Sequence, residues 1–184
     1  MFRAGFVAAA FAAALACSAA VAQQQYLYVW TVGVDGQGDG SDKLVTVDVT
    51  PRSDRHGKIV HTLSVGGRGE LGSLSLTGEG RSLRAARASD GRVFELDVGS
   101  DPSRPRLRRV TERAAAGALA NDAPHEARDD RRVFVAGVQL RDDPDPAHFV
   151  RAYGRDGDAL TIAFEIDFRA SRLGLPRAVV LVSR

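Results

Sequence analysis

The chain has 184 residues, with 25 lysines and arginines against 23 aspartates and glutamates, so its formal net charge at pH 7 is +2. This near-balance offers neither a basic stripe for nucleic acid nor a polybasic arm for anionic lipid, and we expect neither partner. Cys17 is the only cysteine. Disulfides, thiolate catalysis and cysteine-based zinc sites are therefore excluded from any mature chain that lacks it.

Residues 1–22 have the three regions of a secretory signal peptide. Arg3 supplies the positive head, an uncharged apolar run follows, and Ala20-Val21-Ala22 supplies a small-x-small cleavage pattern. The run is shorter than the about 20 residues of a membrane span, which argues against an uncleaved anchor. We predict cleavage after Ala22 and a periplasmic or secreted domain of residues 23–184. A lipoprotein modified on Cys17 is the alternative, although leucine is absent three positions earlier.

Short apolar segments bounded by Gly, Asp, Ser or Pro recur along residues 23–184, which is typical of β-strands. Ser89-Asp90-Gly91 and Asp156-Gly157-Asp158 are hairpin signals, because glycine tolerates the positive φ of such turns. Only Glu112 to Ala120 favours a short helix or a loop. The loops predicted at the surface are 36–42 and 142–147. The strands predicted are 26–34, 44–49, 58–65, 83–88, 92–98, 132–139, 149–153, 159–168 and 178–183.

Many short strands joined by tight turns predict an all-β fold: propeller blades, or alternatively a small β-sandwich or barrel. A weak internal sequence repeat favours blades. Leu44–Val49 and Val93–Val98 resemble each other at a spacing of about 49 residues, which is near the length of one four-stranded blade.

Motifs that carry chemistry are sparse. Asp35–Gly40 resembles a calcium loop but lacks the required ligands and flanking helices, so it predicts a hairpin loop. His125-Glu126 is not followed by a second histidine at helical spacing, and Gly66–Gly80 lacks the Gly-Lys-Ser/Thr of a phosphate loop. No Gly-x-Ser-x-Gly occurs. We therefore predict no catalytic and no cofactor-binding residue, and we expect the lone histidines His56, His61 and His148 to be structural or solvated.

Two segments resemble the selenium-binding protein family, which includes bacterial methanethiol oxidases. Lys43–Ser53, continued by Gly57–His61, is similar to the family's Tyr-Leu-x-Thr-Val-Asp-Val-Asp-Pro-x-Ser and Gly-Lys-Val-Ile-His. Arg92–Pro102 is similar to its Arg-Ile-Tyr-Val-Val-Asp-Val-Gly-Ser-Glu-Pro. Weaker similarities include Pro124-His125 and Pro176-Arg177. Together they span most of residues 23–184 but less than half of a family member.

The resemblance implies a β-propeller of a seven-bladed type, of which this chain would supply about three to four blades. It also implies an exported oxidase with copper as its cofactor, which converts methanethiol, oxygen and water to formaldehyde, hydrogen sulfide and hydrogen peroxide. Whether selenium binds is left open. The family's His-His pair after Glu-Leu is replaced here by Gly72-Ser73, and its Pro-His-Thr-x-His-Cys retains only His125, a vestigial metal ligand. Because copper prefers imidazole or sulfur donors, we predict that neither copper binding nor oxidase activity is retained by this chain alone.

Three functions remain open at this point: an oxidase completed by a partner chain, a non-catalytic binding or interaction module, and a truncated gene product without function. An arc of about three blades would also have two ends that cannot close on each other. We expect apolar strand residues to be left bare there and to favour a homo-oligomer or a complementary C-terminal fragment. The residues expected at these ends are Leu27, Val29, Val133, Val135, Val180 and Val182.

Overall fold

The computed structural model describes residues 23–112, 123–137, 148–157 and 159–184, and the regular structure in these ranges is β-strand. The predicted all-β class is confirmed. The strands are β1 (Gln25–Val32), β2 (Lys43–Asp48), β3 (Lys58–Ser64), β4 (Leu71–Thr77), β5 (Ser82–Arg87), β6 (Arg92–Asp97), β7 (Arg106–Glu112), β8 (Glu126–Arg128), β9 (Arg132–Ala136), β10 (Phe149–Asp156), β11 (Ala159–Asp167) and β12 (Leu175–Ser183).

The strands form three four-stranded antiparallel sheets, which matches the strand number predicted for blades. The first sheet has the order β12-β1-β2-β3, the second β4-β5-β6-β7 and the third β8-β9-β10-β11. The edge strand β12 contacts β4 of the second sheet and β8 of the third. The described residues thus form three separate sheets rather than the two sheets of a sandwich or the single sheet of a barrel.

The internal sequence repeat corresponds to a repeat in the structure. Its two copies are β2 and β6, each the third strand of its sheet, and each ends on an aspartate that caps the following turn. Asp48 accepts hydrogen bonds from the Thr50 N–H at 2.9 Å and the Ser53 hydroxyl at 2.8 Å. Asp97 accepts them from the Gly99 N–H at 2.9 Å and the Ser100 hydroxyl at 2.7 Å. The Asp-Val repeat therefore encodes the same strand end twice.

The first sheet lies between the other two, because β1 is buried on both faces. Tyr26, Tyr28 and Trp30 point into a core shared with β4, β5 and β6 of the second sheet. Leu27 and Val29 point into a core shared with the third sheet, where they meet residues such as Phe134 and Val150. This explains why β1 reads as a continuous apolar and aromatic run instead of an alternating one.

The prediction that six strand residues are left bare at the ends of the arc of blades is wrong. β1 and β12 pair in antiparallel register, with Gln25 opposite Ser183. The Arg184 N–H donates to the Gln24 carbonyl at 2.8 Å. Of the residues expected to be bare, Leu27, Val29 and Val182 are buried, while Val133, Val135 and Val180 are partly buried. The physical reason is that the last strand completes the sheet of the first one.

Three observed strands were not predicted: β4, β7 and β8. The two predicted hairpins are confirmed as pairs of consecutive antiparallel strands, β5 with β6 and β10 with β11. The short helix or loop predicted from Glu112 is wrong at that residue, which ends β7. Its remainder, the loop at 142–147 and the signal peptide lie outside the described residues.

Within the described ranges no helix is long and apolar enough to cross a membrane.

Candidate functional site

A cavity of about 800 Å³ lies where the three sheets meet. Its walls come from the end of β1, the loop between β3 and β4, the start of β4, the residues before β8 and the start of β12. Val32, Leu71 and Leu175 form apolar parts of the wall. The polar side chains that line it are Asp35, Arg68, Glu70, His125 and Arg177. All three sheets therefore contribute to this one site.

His125, the candidate metal ligand from the sequence, lines the cavity from the segment that precedes β8. Two backbone hydrogen bonds fix this segment. The His125 carbonyl accepts a hydrogen bond from the Ala136 N–H at 2.9 Å. The neighbouring Pro124 carbonyl accepts one from the Val179 N–H of β12 at 2.7 Å. The imidazole itself is solvent-exposed. The fold thus fixes the position of His125 and leaves its side chain accessible to a ligand.

The charged groups of the cavity differ in their partners. Arg68 Nη1 lies 2.6 Å from Asp35 Oδ1, and both side chains are largely exposed. Arg177 is exposed at the start of β12 and forms no ion pair with another described residue. Since exposed ion pairs contribute little energy, Arg68 and Asp35 can exchange their contact for one with a ligand.

Asp42 supports the cavity from beneath. Its side chain is fully buried and accepts hydrogen bonds from the N–H groups of Gly33 at 3.0 Å and Gly69 at 3.3 Å, two residues of the cavity wall. It also accepts one from Arg87 Nη1 at 3.1 Å. One carboxylate therefore ties the end of β1 and the loop before β4 to β5.

Arg87 completes this support. Its buried guanidinium also donates to Asp90 at 2.7 Å and to the Gly66 carbonyl at 3.0 Å, and it lies 5.2 Å from the centre of the Phe94 ring. The hydrogen bond with Asp90 is the main cause that raises the pKa of Arg87 above its ordinary value; burial opposes the shift and Asp42 adds to it. Arg87 therefore stays charged beneath the cavity.

The other three histidines do not line the cavity. His56 contacts the Thr50 carbonyl with Nδ1 at 3.0 Å and packs edge-on against Phe164. His61 is partly buried on β3. His148 is buried, and its Nδ1 has no hydrogen-bond partner among the described residues. None of them supplies a second imidazole beside His125.

The cavity does not fit a copper ion. Copper favours several imidazole or sulfur donors, and the cavity contributes one imidazole. Gly72 and Ser73 follow Leu71 on β4, where neither offers a side-chain nitrogen or sulfur. The described part of the chain holds no group of three or more His, Cys, Asp or Glu side chains that could bind a metal.

Sequence reasoning missed Asp42 and Arg87, which lie 45 positions apart and meet only in the folded chain. It also did not assign a role to Arg68, Asp35 or Arg177. A signal for two of the cavity residues was present, because Glu70 and Arg177 occur in segments that resemble the family. For Arg87 the sequence holds no such signal, because the same strand also carries Arg84, which is exposed.

Two curated proteins match part of the chain. A methanethiol oxidase of Hyphomicrobium sp is 52% identical over 85 residues, which is 46% of this chain and 19% of that protein. A methanethiol oxidase of Ruegeria pomeroyi is 41% identical over 88 residues, which is 48% of this chain and 20% of that protein. The chain thus spans about a fifth of the length of these relatives. The family resemblance is confirmed for an N-terminal part only. No protein-family model matches.

Two solved structures align with part of this chain. A hypothetical selenium-binding protein of Sulfolobus tokodaii aligns with a TM-score of 0.45 and 16% identity, over 76% of this chain and 34% of that one. A putative 6-phosphogluconolactonase of Bacteroides fragilis aligns with a TM-score of 0.32 and 14% identity, over 76% of this chain and 36% of that one.

Proposed function

We propose, from the premise that this chain is related to an N-terminal part of the selenium-binding protein and methanethiol oxidase family, that it is an exported binding domain without the family's copper chemistry. The observation that supports this proposal is the cavity around His125, which offers a single imidazole. The sequence agrees, because Gly72-Ser73 follows Glu70-Leu71 where the family has a His-His pair. Its volume of about 800 Å³ lies within the usual range of small-molecule sites.

The chemistry of the wall favours a small, partly apolar ligand with one polar end. Leu71 and Leu175 would contact the apolar part, while His125 and Arg177 would donate hydrogen bonds to the polar end. A small thiol and selenite are the probes that the names of the relatives suggest. Titration of the full chain with methanethiol, and separately with sodium selenite, would be followed by NMR shifts of Leu71 and His125.

We expect saturable shifts at these cavity residues with at least one probe. The variant His125→Ala should weaken binding, whereas the matched control His61→Ala, on β3, should not. The absence of saturable shifts with both probes, or equal weakening by the two variants, would contradict the proposal.

Methanethiol oxidation is the second candidate, because the two matching proteins carry that name. It is tested by loading the full chain with copper, removing free metal, and measuring bound copper and peroxide formation from methanethiol. The binding proposal expects far less than one copper per chain and no peroxide. Stoichiometric copper that is lost in His125→Ala would favour the oxidase instead.

A further inference from the structure

The outer edges of the three sheets differ in how they are protected. The outer strands are β3, β7 and β11, and each lacks a strand partner on one side among the described residues. Charged side chains on an edge strand discourage pairing with another chain. β7 carries Arg106, Arg108 and Arg109, and β3 begins with Lys58 and has its apolar residues partly buried. Both edges are therefore protected against pairing with another chain.

The edge of β11 is unguarded over its first five residues. Ala159–Ala163 contains no charge, and all five side chains are exposed. Leu160 is 55% and Ile162 is 60% exposed, which makes them the most exposed of the large hydrophobic residues described. The straight part of the strand ends at a bulge, since Tyr153 pairs with Ile162 while Ala152 pairs with Phe164. An uncharged, apolar edge of this kind is a template for strand addition.

The segment is also complementary to itself. Within its straight part, Leu160-Thr161-Ile162 is the same series of residue classes in both directions. If two copies pair antiparallel about Thr161, Leu160 of each copy lies opposite Ile162 of the other, while Ala163 is the extra residue of the bulge. No like charges face each other, and apolar β-branched or leucine pairs stabilise antiparallel contacts.

We propose that β11 is a homodimerisation edge, at which two copies of this chain join their third sheets into one eight-stranded sheet around a two-fold axis at Thr161. A two-fold contact uses the same surface on both copies, as this self-complementary segment provides. The paired edge is short, so it buries less than the about 1,200 Å² of a stable interface. The dimer should therefore dissociate on dilution.

The mass of the full chain in solution tests the proposal directly. Sedimentation equilibrium should give a mass that rises from monomer toward dimer with concentration. Thr161→Lys would place two like charges opposite each other at the axis and should abolish this rise. The control Val110→Lys, on the exposed edge of β7, should leave it unchanged. Thermal melting would establish that both variants fold. A monomer up to about 1 mM, or equal loss in both variants, would overturn the proposal.

Cross-linking tests the register. In a Cys17→Ser background the introduced thiol is the only one in the chain. Residues directly opposite in an antiparallel pair have Cα atoms about 4.5–5.5 Å apart, which a disulfide can bridge. Thr161→Cys should therefore form a covalent dimer under mild oxidation at least about tenfold faster than Val110→Cys. Equal rates for the two variants would contradict the two-fold axis at Thr161.

Discussion

Arg87 and Asp42 form an ion pair with Nη1 and Oδ2 3.1 Å apart, and only 2% and 0% of their side chains are exposed. The pair connects β5 to the wall of the cavity through the N–H groups of Gly33 and Gly69, which donate to Asp42. Removing one partner of such a pair leaves the other charge buried, at a cost of about 3–5 kcal/mol.

We therefore expect Arg87→Met to lower the free energy of unfolding by about 3–5 kcal/mol in urea denaturation. The matched control is Arg68→Met, which breaks the exposed pair with Asp35 and should cost less than about 1 kcal/mol. The double variant Asp42→Asn with Arg87→Met should cost less than the sum of its single variants. Similar losses for Arg87→Met and Arg68→Met would show that the buried pair contributes no more to stability than the exposed pair.

Gly69 is a position where a side chain is sterically excluded. A Cβ there would lie 2.5 Å from Arg87 Cδ and would also collide with Ser89 Oγ. Gly69→Ala must displace Arg87, so we expect a loss of about 1–3 kcal/mol and a lower melting temperature. Gly154→Ala is the control, because its Cβ would meet Thr161 Oγ1 at an ordinary 3.6 Å. Equal melting temperatures for both variants would refute the steric argument.

The sequence predicts the strands well where apolar and polar residues alternate or where apolar runs are bounded by turns, as in β1, β2 and β6. It fails for β4, whose Gly72, Ser73 and Ser75 have low strand propensity and carry little hydrophobic pattern. It fails for β7 because an exposed edge rich in arginine lacks a buried face.

The candidate site, like the fold, could be predicted from the sequence only in part. His125, which a local motif marks, lines the cavity, while its role as a metal ligand stays a prediction. The Asp42–Arg87 pair and the junction of β1 with β12 depend on contacts across 45 and about 150 residues, for which no local pattern exists. The burial of Leu27, Val29 and Val182 was consequently predicted wrongly.

The turn after β6 provides a pH-dependent prediction. The Ser100 hydroxyl, followed by the N–H groups of Ser100 and Gly99, donates to Asp97 and holds its pKa below the ordinary value. We expect Ser100→Ala to raise the pKa of Asp97 toward its ordinary value, as measured by NMR titration of its carboxyl carbon. Ser75→Ala, an exposed serine on β4, should leave it unchanged.

The sign for stability follows from the direction of this shift. The folded pKa of Asp97 lies below the unfolded one, so the ionised carboxylate contributes stability above the unfolded pKa. That contribution is lost as the pH falls through the folded pKa. Ser100→Ala should therefore make the free energy of unfolding less dependent on pH in the acid range. An unchanged pH dependence would contradict a stabilising role of the hydrogen bonds to Asp97.

Export is tested at the N-terminus. The signal-peptide pattern of residues 1–22 predicts that protein recovered from the periplasm or medium begins at Gln23. Val21→Leu leaves the small-x-small pattern intact and should be processed in the same way, whereas Ala20→Arg with Ala22→Arg should block cleavage. A mature start at Met1 would exclude export by cleavage, and a lipid on Cys17 would indicate the membrane-anchored alternative.

The pairing of β1 with β12 also governs the order in which the molecule assembles. The first sheet cannot be completed until Leu175–Ser183 has been synthesised, although its other three strands are made early. Closing this contact joins residues about 150 positions apart, and such long-range contacts are formed late because of their entropic cost. A nascent chain stopped before β12 would therefore expose the edge of β1 and both adjoining cores. The same adjacency of Gln24 and Arg184 would allow a short linker to join the two ends, with new ends opened in the hairpin at Gly157.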